Sequence, residues 1–158
     1  ESMIKYVNGR ELSTGQQNVS VKSFSGATVE DMTDLLKQTS RKHPDKLIIH
    51  VGTNDLRKSD PKTVADKVTN LAKQFKKGSS NTKIVISSLV VRNDGPELAK
   101  MVKQANILLK SNCTSNDPAF LDNSNINCSH LNYRGLHLNR DGSTLLQNNI
   151  ANILKSKD

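Results

Sequence analysis

The segment that decides the fold reads Ile48-Ile49-His50-Val51-Gly52-Thr53-Asn54-Asp55. A short apolar strand in this segment leads directly into a polar turn that begins with a glycine. In an open sheet of parallel strands, ligands bind beyond the carboxyl ends of the strands. An amide and a carboxylate placed directly after such a strand therefore indicate a functional site.

Upstream of this segment, the polarity pattern predicts a strand and then a helix. Residues 19–24 alternate between apolar and polar side chains, as in a half-buried strand. Thr28, with Asp31 three positions later, is a variant of the capping box that begins a helix. The second strand is predicted at residues 46–51.

Downstream, helices and strands continue to alternate. Pro61 is typical of the first position of a helix, and residues 83–91 are a β-branched run, which predicts a strand covered on both faces. A turn at residues 93–96 begins a third helix, and a short strand follows at residues 119–122. Asp141 is the predicted cap of the last helix.

This alternation predicts βαβ units with right-handed crossovers and a mostly parallel sheet. We expect a single α/β domain over residues 1–158, built as a three-layer α/β/α sandwich of the flavodoxin-like kind.

Composition limits the classes of function. The net charge of +8 favours polyanionic partners such as nucleic acid or an anionic lipid surface, unless the lysines only solvate helix faces. The few aromatic residues do not cluster, which argues against a platform for stacking single strands. No run of about 18 apolar residues exists, so a membrane span is excluded.

Cys113 and Cys128 are the only cysteines, and their spacing matches no metal site. We predict two free thiols in a reducing compartment, and hence an intracellular location in the cytoplasm or the nucleus.

Four residues occur in an order that resembles the SGNH (GDSL-type) hydrolases, whose signature residues are Ser, Gly, Asn and His. They are Ser2, Gly26, Asn54 and His137. The phrases at residues 123–126 and 135–140 are most similar to the SGNH-like domains encoded by animal non-LTR retrotransposons.

The resemblance implies a serine esterase that needs no metal and no cofactor. Acyl transfer requires a nucleophile, a base and donors aimed at the developing oxyanion. The family pattern makes Ser2 the nucleophile and His137 the general base. It makes the Ser2 N–H, the Gly26 N–H and the Asn54 amide the oxyanion hole, and we expect Asp55 to brace the turn.

The chain departs from this family at three places. Glu1 precedes the serine where an Asp is usual, and the strand that normally delivers the serine is absent, so we expect the sheet to lack its first strand. The family's acid, three residues before the histidine, is replaced by Arg134. Asp122 or Asp141 could substitute, or a backbone carbonyl could orient the imidazole and leave a Ser–His dyad.

Each residue also has a structural alternative. Gly26 could serve only to allow a positive φ in a turn, and Asn54 and Asp55 could form an Asx-turn. Of the remaining histidines, His50 is expected in the sheet, His130 in a loop and His43 in solvent. The leading hypothesis is an esterase acting on a small or lipid acyl ester. The alternative is a weak or inactive module that binds RNA or anionic lipid through its basic helices.

Overall fold

The computed structural model describes residues 2–114 and 117–156, and of Ser2 it describes the backbone alone. The strands in this part of the chain are β1 (Lys46–Ile49), β2 (Lys83–Ser87) and β3 (Ala119–Leu121). The α-helices are α1 (Gly9–Leu12), α2 (Val29–Ser40), α3 (Pro61–Gly78), α4 (Pro96–Asn112) and α5 (Arg140–Lys155). Short 3-10 helices span Ser2–Ile4, Asp55–Arg57 and Cys128–His130.

The three strands form one parallel sheet in the order β1-β2-β3. Ile48 pairs with Val85, and Ile86 pairs with Phe120. Helix α3 connects β1 to β2, and α4 connects β2 to β3, so neighbouring strands are joined by neighbouring helices that pack on each other. The predicted α/β class and the parallel sheet are confirmed.

Apolar side chains are buried on both faces of this sheet. Ile84 and Ile86 lie in one core cluster with the apolar stripes of α2, α3 and α4. Val85, between them, faces the opposite side, because successive side chains of a strand alternate. A second cluster forms around Leu146 of α5, together with Met3 and the loop that precedes α5. The sheet therefore lies between two helical layers, as the sequence predicted.

Two helices begin where the sequence predicts. Thr28 accepts a hydrogen bond from the Asp31 N–H at 3.3 Å, and the Asp31 carboxylate accepts one from the Thr28 N–H at 2.8 Å, which completes the capping box of α2. Asp60 caps α3 by accepting from the Thr63 N–H at 2.9 Å, with Pro61 at the first helical position. These local contacts fix where α2 and α3 begin.

The strand predicted at residues 19–24 does not form, so that prediction was wrong. Val19 and Val21 do pack on the second core cluster, and the Val19 N–H donates to the Ser13 hydroxyl at 2.9 Å. In the flavodoxin-like order the second strand pairs with the first. The structure describes no strand before β1. Residues 19–24 therefore have no neighbouring strand with which to pair.

The last helix begins earlier than predicted. Its cap is Asn139, whose side chain accepts a hydrogen bond from the Gly142 N–H at 2.9 Å, and not Asp141, which lies in the first turn. The strands β1 and β2 also end earlier than predicted, at Ile49 and Ser87, although the residues that follow β2 remain buried.

Over residues 2–114 and 117–156, no helix combines the length and the apolar character that crossing a membrane requires.

Candidate active site

The turn after β1 depends on a glycine. Gly52 has a φ of +129°, and a Cβ added there would lie 3.1 Å from Cγ1 of Val64 in α3. Its carbonyl accepts hydrogen bonds from the N–H groups of Asp55 and Leu56, at 3.1 and 3.2 Å. The chain is thereby turned into the 3-10 helix Asp55–Arg57, with Asn54 immediately before it.

Asp55 braces this turn against helix α2. Its side chain is buried, and its carboxylate accepts hydrogen bonds from the Val29 N–H at 3.1 and 3.3 Å. Val29 is the first residue of α2, where the helix presents N–H groups without intrahelical partners and favours negative charge. A structural role for Asp55 was predicted, and these hydrogen bonds tie its turn to the start of α2.

The structure brings Gly26 and Asn54 together. Gly26 has a φ of +73°, which L side chains rarely adopt. No heavy atom lies within 4 Å of a Cβ placed on it, so glycine is favoured there by the backbone conformation and not by lack of space. The Asn54 amide nitrogen donates to the carbonyl oxygen of Ala27, the next residue, at 3.1 Å. Two of the three predicted oxyanion donors therefore belong to adjoining backbone segments.

His137 lies on a hairpin that precedes α5. Leu131 and Leu138 form an antiparallel bridge, and the Asn132 N–H donates to the His137 carbonyl at 2.7 Å. Gly135, with a φ of +65°, forms the bend, and its N–H donates to the Asn132 carbonyl at 2.9 Å. The imidazole is half-buried, held on a loop and not on a helix or a sheet strand.

The hairpin is docked onto the loop that follows β2. The Asn93 N–H donates to the Gly135 carbonyl at 2.8 Å, and a Cβ on Gly135 would lie 2.9 Å from the carbonyl carbon of Asn93. Only a residue without a side chain allows this approach.

The predicted nucleophile lies at the first 3-10 helix. The backbone of Ser2 begins the helix Ser2–Ile4, but its side chain lies outside the part of the chain that the structure describes. Its contact with His137 and its oxyanion N–H remain predictions.

Arg134, which replaces the family's acid, is engaged at the tip of the hairpin. Its Nε donates to the Tyr133 hydroxyl at 2.9 Å, and the guanidinium lies 5.4 Å from the centre of that ring. Asp122 is exposed and accepts from the Ser124 N–H at 2.8 Å, and Asp141 is exposed in the first turn of α5. The group that orients His137 remains open between the alternatives given by the sequence.

His43 and His130 lie in the exposed loop and in the turn region where they were expected, whereas His50 lies just outside the strand that was predicted to contain it. His50 is buried just after β1, with Nδ1 3.0 Å from the Ser87 hydroxyl of the neighbouring strand. His130 closes a 3-10 turn, where its Nδ1 accepts from the Asn127 N–H at 3.0 Å. His43 is exposed in the loop before β1.

The sequence did not predict an ion pair that the structure contains, between Arg92 and Asp94. The Arg92 side chain is 1% exposed, and it donates from Nε to Asp94 Oδ1 at 2.8 Å and from its terminal nitrogen to Oδ2. These hydrogen bonds hold the pKa of the Asp94 carboxyl below its ordinary value of 3.8, against the opposing effect of partial burial. A charged residue directly after a buried apolar strand was the available signal, but the segment had been interpreted only as a turn.

Two clefts lie beside these elements and not over them. One of about 450 Å³ lies between the N-terminal segment and the start of α5, lined by Tyr6, Glu11, Leu138, Arg140 and Gln147 among others. Another of about 570 Å³ lies between residues 5–10 and 19–23. Neither is lined by Gly26, Asn54 or His137, so hydrogen bonds and not a deep cavity define the candidate site.

Both cysteines are free thiols, as predicted. Cys113 is buried at the end of α4, where burial raises the pKa of its thiol to about 11, and Cys128 is exposed.

Comparisons with known proteins agree with this fold. A carbohydrate esterase of family 3 from Talaromyces cellulolyticus is similar over 89% of this chain and 72% of its own, with a TM-score of 0.74 at 14% identity. A catalytic mutant of an acetylxylan esterase from Geobacillus stearothermophilus is similar over 89% and 73%, with a TM-score of 0.71 at 17% identity. A lipase/acylhydrolase from Enterococcus faecalis is similar over 82% and 71%, with a TM-score of 0.67 at 19% identity.

At these identities the structural matches show the shared fold. No curated protein sequence matches this one. The closer resemblance to retrotransposon-encoded domains is not tested by these findings and stays a prediction. Residues 6–145, which include Gly26, Asn54 and His137, match the model of the GDSL-like lipase/acylhydrolase family, and the chain belongs to that family.

Proposed function

We propose that this protein is a serine esterase that hydrolyses a small or lipid acyl ester through an acyl-enzyme intermediate. We also propose that residues 1–158 make up one domain of this family. The observation that carries the proposal is the hydrogen bond of 3.1 Å from the Asn54 amide to the Ala27 carbonyl, within a chain of this hydrolase family. It supports the proposal because it joins the two segments, distant in sequence, that carry the candidate donors Gly26 and Asn54.

The proposed oxyanion hole uses donors that the fold already holds still. The Asn54 amide carries two hydrogens, and the bond to Ala27 uses one, which leaves the other to donate to a substrate oxygen. The Gly26 N–H belongs to the segment that this bond fixes. Donors that are oriented before the reaction need no reorganisation when the oxyanion forms, which is the main source of their effect.

The proposed reaction has two steps. The Ser2 hydroxyl attacks the acyl carbon while His137 accepts the hydroxyl proton and passes it to the leaving alcohol. Water then attacks the acyl-enzyme while His137 accepts one of its protons and returns it to Ser2 Oγ. The bond between the acyl carbon and Oγ breaks, the carboxylic acid leaves, and the serine hydroxyl is regenerated. Neither step involves a metal or a cofactor.

We further propose that His137 works in a dyad or with a substitute acid. Arg134 occupies the family's acid position and is bound to Tyr133, so it does not supply the negative charge that stabilises an imidazolium. Loss of the acid from a serine triad lowers kcat by about 10⁴. Turnover well below that of a complete triad is therefore expected.

The test is hydrolysis of p-nitrophenyl acetate together with labelling by a fluorophosphonate. The protein is expected to release p-nitrophenol and to carry the label on Ser2, and Ser2→Ala is expected to abolish both. A folded protein that neither hydrolyses the ester nor takes the label would contradict the proposal.

We propose as a second candidate function the binding of RNA or of an anionic lipid surface, for a protein located inside the cell. Its support is the net charge of +8 and the position of exposed lysines on the outward faces of α3 and α4, two helices packed side by side. The lysines are Lys62, Lys67, Lys73 and Lys77 in α3 and Lys100, Lys103 and Lys110 in α4. The family match favours the esterase over this candidate.

Salt dependence tests this candidate with two probes, a single-stranded RNA and vesicles that contain phosphatidylserine. Electrostatic binding predicts an RNA affinity that falls steeply as salt rises, because each neutralised phosphate releases a counterion. Replacing Lys100, Lys103 and Lys110 by Gln is expected to weaken binding and to leave esterase turnover unchanged. An absence of binding to both probes at low salt would contradict the candidate.

A further inference from the structure

The loop between β2 and α4 contacts both halves of the proposed site. Toward the Asn54 turn, the Asp94 carboxylate lies 3.8 Å from the terminal nitrogen of Arg57, the last residue of the 3-10 helix Asp55–Arg57. Toward the histidine, the Asn93 N–H donates to the Gly135 carbonyl at 2.8 Å, in the bend of the His137 hairpin. Two adjacent residues thus reach two segments that are far apart in sequence.

The pairing of Arg92 with Asp94 restrains the backbone of this loop. Its guanidinium is buried, and a buried cation without an anionic partner is strongly disfavoured. Asp94 supplies that partner through two parallel hydrogen bonds, a geometry that fixes orientation as well as distance. Asn93 lies between the two paired residues, so its backbone N–H is aimed at Gly135 by the pair on either side.

The contact with the hairpin tolerates little displacement. A Cβ on Gly135 would meet the carbonyl carbon of Asn93 at 2.9 Å, so the two backbones are already in close contact. The same hairpin is closed by the bond of 2.7 Å from the Asn132 N–H to the His137 carbonyl. A shift of the loop is therefore passed to the backbone of His137.

We propose that Asp94 is a positioning residue, which holds Arg92 and Arg57 together and so sets the His137 hairpin relative to the turn of Asn54. Asp94 does not touch the substrate in this scheme. The inference rests on the proposed function, since it concerns the alignment of the base with the oxyanion donors.

Kinetics of Asp94→Asn are the first arm of the test. Small misplacements of catalytic groups lower turnover strongly, so kcat is expected to fall by about 10- to 100-fold while KM changes by less than about threefold. Asp94→Glu, which keeps the charge, is expected to recover part of the loss. The matched control is Asp66→Asn, which breaks an exposed ion pair with Lys62 on α3 and is expected to leave kcat unchanged.

Amide hydrogen exchange is the second arm, and it needs no activity. Asp94→Asn is expected to speed exchange of the Asn93 and Asn132 amides, the donors to Gly135 and His137, and to shift the ring resonances of His137. If the wild type hydrolyses no ester, the proposed function fails, but this arm still decides the positioning role. Unchanged exchange and unchanged ring resonances in a folded variant would overturn it.

Arg57→Gln covers the case in which Asp94→Asn does not fold. The Arg57 side chain is 54% exposed, so its replacement leaves no buried charge behind. Removing its link to Asp94 is expected to change the His137 ring resonances and to lower kcat by a smaller factor than Asp94→Asn. A variant identical to wild type in both would overturn the proposed coupling to the turn.

Discussion

The turn that carries Asn54 and the hairpin that carries His137 are held in different ways. The turn follows a core strand, packs Gly52 against α3 and ties Asp55 to the first N–H of α2. The hairpin is closed by a few backbone bonds, rests on Asn93 and exposes Tyr133 at its tip, where that side chain is 89% exposed. Damage to the turn is therefore expected to lower the stability of the whole fold. Leu131 and Leu138 anchor the base of the hairpin in the second core cluster, so changes at its exposed tip are expected to affect the proposed catalysis more than stability.

This difference also separates the two chemical tasks. Oxyanion donors gain from rigidity, because their effect depends on being oriented before charge develops. A general base must accept and release a proton twice in each cycle, so its effect depends on how the hairpin is positioned against the loop of Asn93. The positions that set the hairpin then become as important as the histidine itself.

The largest effect is expected from Asn54→Ala. Removing one oxyanion donor costs about 2.7–4 kcal/mol of transition-state stabilisation, which corresponds to a loss of roughly 100- to 1,000-fold in kcat. The measurement is steady-state hydrolysis of p-nitrophenyl acetate. A loss below about threefold in a folded variant would show that Asn54 is not an oxyanion donor, and the turn would then be a structural element only.

A smaller effect, on stability, is expected from Gly52→Ala. The positive φ and the approach of Val64 to 3.1 Å should together lower the free energy of unfolding by about 1–3 kcal/mol. Gly26→Ala is the matched control, since it has a positive φ but no neighbour within 4 Å, and about 1 kcal/mol is expected from conformation alone. Urea unfolding measures both, and equal losses would contradict the tight packing of the turn.

The pH dependence of the Asp94 contribution is expected to be smaller again. The pKa of this carboxyl is lower in the folded protein than its ordinary 3.8, so folding favours the ionised form. The stability difference between wild type and Asp94→Asn should be fully present above that ordinary value and should shrink as the pH falls through the folded pKa. Unfolding at about pH 7 and about pH 3 measures it. A difference that grows in acid would contradict the ion pair.

The smallest expected difference between the two regions is in the reactivity of their cysteine thiols. Cys113 belongs to the core behind the turn, and its raised pKa of about 11 leaves it protonated at neutral pH. Cys128 is exposed in the loop that leads to the hairpin. Iodoacetamide at neutral pH is expected to alkylate Cys128 within minutes and Cys113 only after unfolding, as read by mass spectrometry. Equal rates in the folded protein would contradict the burial of Cys113.

Much of the fold was predictable because its causes are local. The capping box at Thr28, the proline at residue 61 and the β-branched run at β2 each involve neighbours in sequence, and the structure has an element at each of them. The strand at residues 19–24 failed for a non-local reason. Its polarity was appropriate, but a strand needs a neighbour, and a sequence pattern does not show whether that neighbour exists.

The site was predictable only in part, for the same reason. The order of Gly26, Asn54 and His137 is visible in the sequence, but the bond from Asn54 to Ala27 spans 27 positions. The contact of Asn93 with Gly135 and the pairing of Arg57 with Asp94 are also between segments that only folding brings together. Arg134 was identified as a departure from the family, yet its pairing with Tyr133 could not be inferred from the replacement alone.

The most direct test of the account is a crystal structure of the protein after reaction with a phosphonate ester probe. We predict a phosphorus bonded to Ser2 Oγ, with its non-bridging oxygen about 2.7–3.1 Å from the Asn54 amide nitrogen and from the Gly26 nitrogen, and with His137 beside Oγ. An adduct on another residue, or one whose oxygen points away from Asn54, would contradict it.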